Sequence, residues 1–419
     1  MRKTDFKGLY VLGFICLMMV IFPQFSQASL IDDLTTALHD GKATLQLRLG
    51  FEYANRDDAT SPGRAFNLRT RVGYRTADFY NTQGYVQLQN VSNFVEDFRF
   101  KKDGAFHGDL DRDVIADPDG SRVQQAYLDY KGVPATVLRL GRQEITLDDH
   151  RLIGNVNWRQ NGQSFDAAGV TNTAIKNLTL YAAYINQVNT ITLEDVDLDS
   201  LILLHASYSL CQDHTLTLFT YLLDTEDETS AARDSATYGL RFTGHYDRFN
   251  YAVDYAHQGD YQDGEGHNGD MFNVFVGAKV SLVDVGAGYS YISGQDGDDR
   301  PFDTLFSTAH KFNGWADQFL ATNGGTLRDG LQDCYAQVGT KLWGTKFLAI
   351  YHYFDTTEDQ AFDSSYGDEI DLLVARKLGT NLSGLLKYAN YSEDDSSANG
   401  FANLTTDTEI FWARLNYAF

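Results

Sequence analysis

Basic side chains recur in this chain inside segments where every second residue is apolar. Arg48, Arg69, Arg71, Arg75, Arg139, Arg241, Lys387 and Arg414 all fall on the polar parity of such segments. A guanidinium presents a rigid fork of donors that grips a carboxylate through two parallel hydrogen bonds. Lining a water-filled passage through a low-dielectric wall, such groups attract anions. The competing role is internal pairing with Glu52, Asp129, Asp166, Asp254 and Asp371, and the sequence leaves both roles open. Catalytic chemistry has less to stand on. His257, His267 and His352 show no useful spacing to a serine, and neither a Gly-x-Ser-x-Gly elbow nor a His-Glu-x-x-His pair occurs. His205, His214 and His245 fall on different strands or turns, so we expect no enzyme and no metal centre.

The segments that carry these residues have period two. Leu45, Leu47, Leu49, Phe51 and Tyr53 alternate with Gln46, Arg48, Gly50 and Glu52. Phe66, Leu68, Val72 and Tyr74 do so with Asn67, Arg69, Arg71, Gly73 and Arg75, and the pattern returns around 249–255 and 283–291. Each is a strand with one greasy and one polar face. About 18 such strands of roughly ten residues are expected, the length of tilted membrane strands. They lie near 43–54, 64–76, 83–93, 122–131, 134–143, 163–171, 177–187, 200–210, 214–223, 235–245, 248–258, 270–281, 283–293, 332–342, 345–355, 367–378, 381–391 and 408–419.

The two ends of the chain specify where such strands would be used. Arg2, Lys3 and Lys7 precede an apolar stretch, Leu9 to Phe22, and Ser26-Gln27-Ala28 reads as a cleavage site, so residues 1–28 are expected to be a signal peptide. The last strand runs Thr408-Glu-Ile-Phe-Trp-Ala-Arg-Leu-Asn-Tyr-Ala-Phe419, with Phe411, Leu415, Tyr417 and Phe419 on one parity. This ending looks like the signal read by the barrel-assembly machinery of the bacterial outer membrane. Beyond the leader no apolar run approaches the roughly 20 residues of a membrane helix, and mean hydropathy is −0.34. A membrane role therefore requires a closed barrel, because only closure satisfies every backbone group in lipid. The expected fold is all-β, a transmembrane antiparallel barrel over residues 43–419, preceded by a short periplasmic helix at 29–42.

Connections and composition agree with that reading. Short links such as Gly132-Val133 and Trp343-Gly344 alternate with long ones such as 94–121, 144–162, 188–199 and 294–331. Tight periplasmic turns opposite long extracellular loops are expected. There are 25 Tyr, 27 Phe and 36 Gly against 5 Pro. The prolines of the mature chain fall between strands or at a strand's first residue. Formal charge is −23, and a leader carrying Arg2, Lys3, Lys7 and Asp5, a net +2, leaves −25, which argues against a nucleic-acid partner. Acidic runs at 226–228, 296–299 and 393–395 read as solvated loop surface, or as sites for loop-bound Ca2+ or for cations that bridge to lipopolysaccharide. Arg376 lies on the apolar parity beside Lys377, where it can reach headgroups. Once the barrel closes, the first, second and last strands are neighbours, so Arg48, Arg69, Arg71 and Arg414 should form one basic wall.

Two longer stretches carry a resemblance. The run Arg139-Leu-Gly-Arg-Gln-Glu-Ile-Thr-Leu-Asp-Asp-His-Arg-Leu-Ile-Gly-Asn-Val-Asn-Trp-Arg-Gln-Asn-Gly-Gln-Ser-Phe-Asp166 resembles the signature of the alginate export family of outer-membrane barrels. Phe302-Asp-Thr-Leu-Phe, His310-Lys-Phe-Asn-Gly-Trp-Ala-Asp317 and Gly330-Leu-Gln-Asp333 are similar to a second stretch of that family. The resemblance implies an 18-stranded, monomeric channel whose first motif folds into the pore, placing Arg142, Glu144, Arg151, Arg159 and Asp166 near a constriction. It also puts His310, Trp315 and Asp317 in the longest loop, as a vestibule or gate. Three functions follow as expectations: passage of anionic solutes, carboxylated sugars or polyuronate among them; a general porin without preference; or, from another class, a plugged structural barrel or adhesin. No cofactor is needed for the first two.

Overall fold

The computed structural model describes residues 27–57, 61–226, 233–320, 329–357, 365–394 and 406–419. The expected leader lies outside these residues except at its last two positions, as do parts of the acidic runs at 226–228 and 393–395. In chain order the strands are β1 Lys42–Arg56, β2 Gly63–Arg75, β3 Thr82–Asp97, β4 Arg99–Lys102, β5 Ala105–Gly108, β6 Gly120–Tyr130, β7 Thr136–Gln143, β8 Ser164–Asn172, β9 Leu178–Asn189 and β10 Asp195–Cys211. They continue as β11 His214–Thr225, β12 Ser235–Tyr246, β13 Phe249–Asp260, β14 Asn268–Val280, β15 Val283–Ile292, β16 Leu331–Leu342, β17 Thr345–Asp355, β18 Ser365–Lys377, β19 Leu382–Glu393 and β20 Thr408–Ala418. A helix, α1, covers Gln27–His39.

Eighteen strands form one antiparallel sheet, and it closes because β1 pairs with β2 on one edge and β20 on the other. Only β4 and β5 stand apart, as a separate hairpin. Closure leaves no unpaired edge in the 18-stranded sheet. Burial is inverted relative to a water-soluble protein. Val72, Leu88, Leu218 and Val276 are half exposed or more, whereas Arg69, Arg71, Gln89, Asp254, Asn273 and Asp371 on the opposite parity are buried. Alternation thus sorts greasy side chains outward and polar ones inward on these strands, whereas on β9 to β11 the inward side is apolar too, with Ile185, Leu201, Leu203, Phe219 and Leu223 buried.

The start of β10 departs furthest from expectation. The long connection expected over 188–199 shrinks to 190–194, because pairing continues through Asp195↔Asn189, Val196↔Val188 and Asp197↔Gln187 before an irregularity at Asp197/Leu201. The Gln187 amide donates to Asp197 at 2.7 Å, so polar cross-strand contacts extend a ladder where apolar alternation has stopped.

Two segments leave the wall and pack within the barrel: residues 144–163 between β7 and β8, and residues 293–320 after β15. They are joined by a bridge between Ile153 and Phe306 and by the Gly154 amide donating to the Phe306 carbonyl at 2.9 Å. Phe165 meets Phe306 edge-on, and Leu152, Leu305, Ala316 and Phe319 complete a buried apolar filling.

Candidate functional site

The first inserted segment touches opposite sides of the ring. At one end Asp148 reaches His205 of β10 at 3.1 Å, Asp149 accepts from Arg241 of β12 at 2.8 Å, and Arg151 donates to Asn273 of β14 at 3.0 Å and Ser290 of β15 at 3.2 Å. At the other, Arg48 of β1 donates to the Asn157 carbonyl at 2.7 Å, Arg414 of β20 to the Trp158 carbonyl at 2.5 Å, and Arg71 of β2 to the Asn157 side chain at 2.8 Å. Contacts to strands on both sides mean that residues 144–163 cross the interior. Gly50 makes the close approach possible: any Cβ there would strike the side chains of Gln160 and Asn67.

Arg48, Arg69, Arg71 and Arg414 come together at this crossing. Arg48 is the direct cross-strand partner of Arg69, and Gly50 the partner of Arg414. Like charges placed opposite one another repel. Among the described residues only Arg71 of the four meets a carboxylate within salt-bridge distance, Glu144 at 3.1 Å. Arg69 is buried, and its Nε and one terminal nitrogen have no hydrogen-bond partner from the protein. Leaving such donors unmatched is costly, and an anion would satisfy them. The Glu144 carboxylate is itself held by Gln124, Asn155 and Asn157 at 2.7–3.0 Å.

Arg75, Arg139, Arg142 and Arg241 are matched by acids. Arg139 grips Asp129 with two bonds, 2.6 and 2.9 Å, and Arg75 reaches the same carboxylate at 3.5 Å. Arg142 grips Asp166 at 2.7 and 2.9 Å. Arg241 lies between Asp149 and Asp254, and Arg151 lies over the ring of Phe312 at 4.0 Å. Arg151, Arg241 and Lys311 line one side of a cavity of about 220 Å³, faced by Asp333, Tyr335 and His352 from β16 and β17.

The second inserted segment places His310, Trp315 and Asp317 against the wall. All three are buried. His310 bonds Asp317 through Nδ1 at 2.7 Å and accepts from the Lys387 ammonium of β19 through Nε2 at 2.6 Å. Arg159 bridges Glu52 at 2.9 Å and Asp317 at 2.8 Å, tying both inserted segments to β1. Burial pushes the His310 imidazole down to about 3, with Lys387 adding to the effect. Burial opposes the Asp317 carboxylate, but His310 and Arg159 outweigh it and hold the group below the usual carboxylate range. Arg159 is likewise held above its ordinary value, because Glu52 and Asp317 outweigh its burial. The consistent state is a neutral imidazole with its proton on Nδ1 and an ionised Asp317.

Sequence reasoning missed the aromatic part of this junction. Trp158 stacks on His310 with centroids 4.2 Å apart, meets Trp412 edge-on at 5.6 Å, and lies under the Arg414 guanidinium at 3.7 Å. The available signal was Trp412 on the same parity as Arg414. Arg122 was also missed; it donates to the Thr190 carbonyl at 2.6 Å from a segment whose alternation is weak. Among the described residues no group of three or more His, Cys, Asp or Glu side chains is placed to hold a metal ion.

Solved structures share this architecture. The barrel is similar to Acinetobacter baumannii OccAB4 (TM-score 0.69, 13% identity, covering 90% of this chain and 98% of that one). It is also similar to Pseudomonas aeruginosa OccK3 (OpdO), with TM-score 0.68 and 16% identity over 93% of this chain and 98% of that one. A third likeness is to Pseudomonas aeruginosa OpdK with vanillate (TM-score 0.67, 14% identity, 91% and 99% coverage). Among curated protein sequences the chain has no significant match. Residues 45–395 match the alginate export family over most of the barrel and both inserted segments, and the chain belongs to that family.

Proposed function

We propose that this outer-membrane channel passes small or polymeric anionic solutes, carboxylated sugars and polyuronates among them, by diffusion past its arginine wall. In this reading the short turns face the periplasm, the long loops face outward, and Phe419 closes the strand recognised during barrel assembly. The observation that carries the proposal is Arg69: a buried guanidinium with two unmatched nitrogens, opposite Arg48 and beside Arg71 and Arg414. Such a cluster attracts a carboxylate and offers it unmatched N–H donors. The likeness to OpdK with vanillate pairs this fold with a carboxylate and supports the same class. Arg142, Glu144, Arg151, Arg159 and Asp166 then shape the passage by fixing residues 144–163 across it.

A general porin is the second reading, favoured by the pairing of Arg139, Arg142 and Arg241 with acids, which leaves those positions little net charge. Single-channel conductance in planar bilayers separates the two. Reversal potentials in a salt gradient should lean towards anions, short polyuronates should block the current, and Arg69→Ala should relieve the block. An open pore indifferent to both supports the general porin; no conductance at all refutes both and leaves a plugged barrel.

A further inference from the structure

We infer that α1 is an amphipathic foot lying in the headgroup–acyl boundary of the membrane leaflet at the turn end of the barrel. The helix docks on the β2–β3 connection and on the outward-facing Tyr74 at the end of β2. Tyr74 donates its hydroxyl to the Leu38 carbonyl, the Ala77 amide donates to the Ala37 carbonyl at 2.9 Å, and Tyr80 donates to Asp33 at 2.5 Å. Tyr74 belongs to the outward parity. It is two residues from Val72, which is 51% exposed, and pairs across to Val86, which is 42% exposed, while Arg71 on the other parity is buried. The helix is therefore on the lipid side of β2, at the strand end, the depth where tyrosines mark the membrane interface.

Its own surface continues that band. Ala37 faces the barrel and is buried, whereas Ile31, Leu34 and Leu38 are 63%, 44% and 50% exposed. Spacings of three and four residues put these three on one stripe, next to the docked face. Asp32 lies on the far side of the helix and is exposed. An apolar stripe adjoining the outward face of a membrane barrel, with acids turned away from it, has the geometry of a helix lying in the interface plane. The occupant of the stripe is lipid, because the surface it adjoins at Tyr74, Val72 and Val86 is the face the barrel turns towards lipid.

The test uses the full-length barrel in phosphatidylethanolamine vesicles. Both exposed free cysteines are replaced (Cys211→Ser, Cys334→Ser), and an environment-sensitive fluorophore is attached at Leu34→Cys or, in a separate protein, at Asp32→Cys. Lipids spin-labelled near the glycerol end of the acyl chain should quench the residue-34 label severalfold more than the residue-32 label. Equal quenching, or none at residue 34, overturns the inference. So does residue-34 protection that appears only at high barrel density, which would assign the stripe to contact between copies, or only with periplasmic extract, which would assign it to a protein partner. Both labelled sites are on the helix surface, and neither touches the arginine wall, so failure here leaves the channel proposal standing.

Discussion

The Lys387 ammonium lies 3.5 Å from the ring centre of Trp315, with Trp158 at 4.2 Å and Trp412 at 5.5 Å. Four parts of the chain meet there: β19, β20 and both inserted segments. The three rings and His310 surround a cation that has no carboxylate within salt-bridge distance among the described residues. The aromatic faces therefore compensate for much of the water it has lost, and the junction acts as a latch holding both inserted segments to one wall.

Trp315→Leu should loosen that latch. A desolvated cation–aromatic contact contributes about 2 kcal/mol, equivalent to roughly a 30-fold change in the docking equilibrium. Hydrogen exchange across 302–319 should accelerate by about that factor, while β1 to β3 keep their protection. Unchanged exchange would show that Lys387 is held by other contacts.

Acid should act on the same latch. Released, the His310 imidazole titrates near its ordinary 6.5; docked, burial pushes it down to about 3. Protons therefore favour the released form. Docking is at full strength above pH 6.5 and weakens as pH falls towards 3, by about 1.4 kcal/mol per pH unit. Asp317, held low by His310 and Arg159, loses its contribution in the same direction as pH falls further. Exchange at 302–319, corrected for intrinsic rates, should be faster at about pH 5 than at about pH 8. His310→Gln should flatten the dependence above pH 5; a dependence that survives the substitution would point to another group.

What could be read from the chain divides along the range of the interactions. Strand positions were legible because period two is a local property, and the apolar parity of Val72 and Leu88 says which way each strand faces. The adjacency of Arg48, Arg69 and Arg414 follows from closure alone, since the first, second and last strands must meet. The start of β10 was not legible, because Asp195 and Asp197 extend the ladder through polar partners that hydrophobic patterning ignores. Nor was the meeting of Trp158, His310 and Lys387. Residues 158, 310 and 387 belong to elements with no register between them, and only the way two inserted segments fill the interior brings them together.

Arg159→Gln should be the most damaging single change in the interior. Glu52 and Asp317 are both buried and both bonded to this guanidinium at 2.8–2.9 Å. Removing the shared partner leaves Glu52 without its salt bridge and Asp317 with only its His310 hydrogen bond, a loss of about 3–5 kcal/mol where a buried pair is broken from one side. The thermal midpoint of the detergent-solubilised barrel should fall, and limited proteolysis should cleave within 144–163. By contrast Asp166→Asn, at a pair with side chains roughly a quarter exposed, should cost about 1 kcal/mol or less. Equal effects from the two substitutions would refute the assignment of Arg159 as the tie between both segments and β1.

Glu144→Gln tests the sign of the field at the arginine wall. Glu144 is the only carboxylate in a salt bridge with any of Arg48, Arg69, Arg71 and Arg414 among the described residues. Neutralising it raises the net positive charge facing a solute at the crossing, so the reversal potential in a salt gradient should move further towards anion preference. The shift should shrink as salt rises, because screening shortens to about 3 Å at molar ionic strength. Part of the gain is offset locally, since a glutamine NH2 would oppose either the Asn155 and Asn157 donors, which share one carboxylate oxygen at 2.9 and 2.7 Å, or the Arg71 and Gln124 donors on the other at 3.1 and 3.0 Å. Arg75→Ala serves as the comparison. Its partner Asp129 stays gripped by Arg139 at 2.6 Å, so selectivity there should change little. A larger shift from Arg75→Ala than from Glu144→Gln would place the selective charge lower on the wall, away from Arg69.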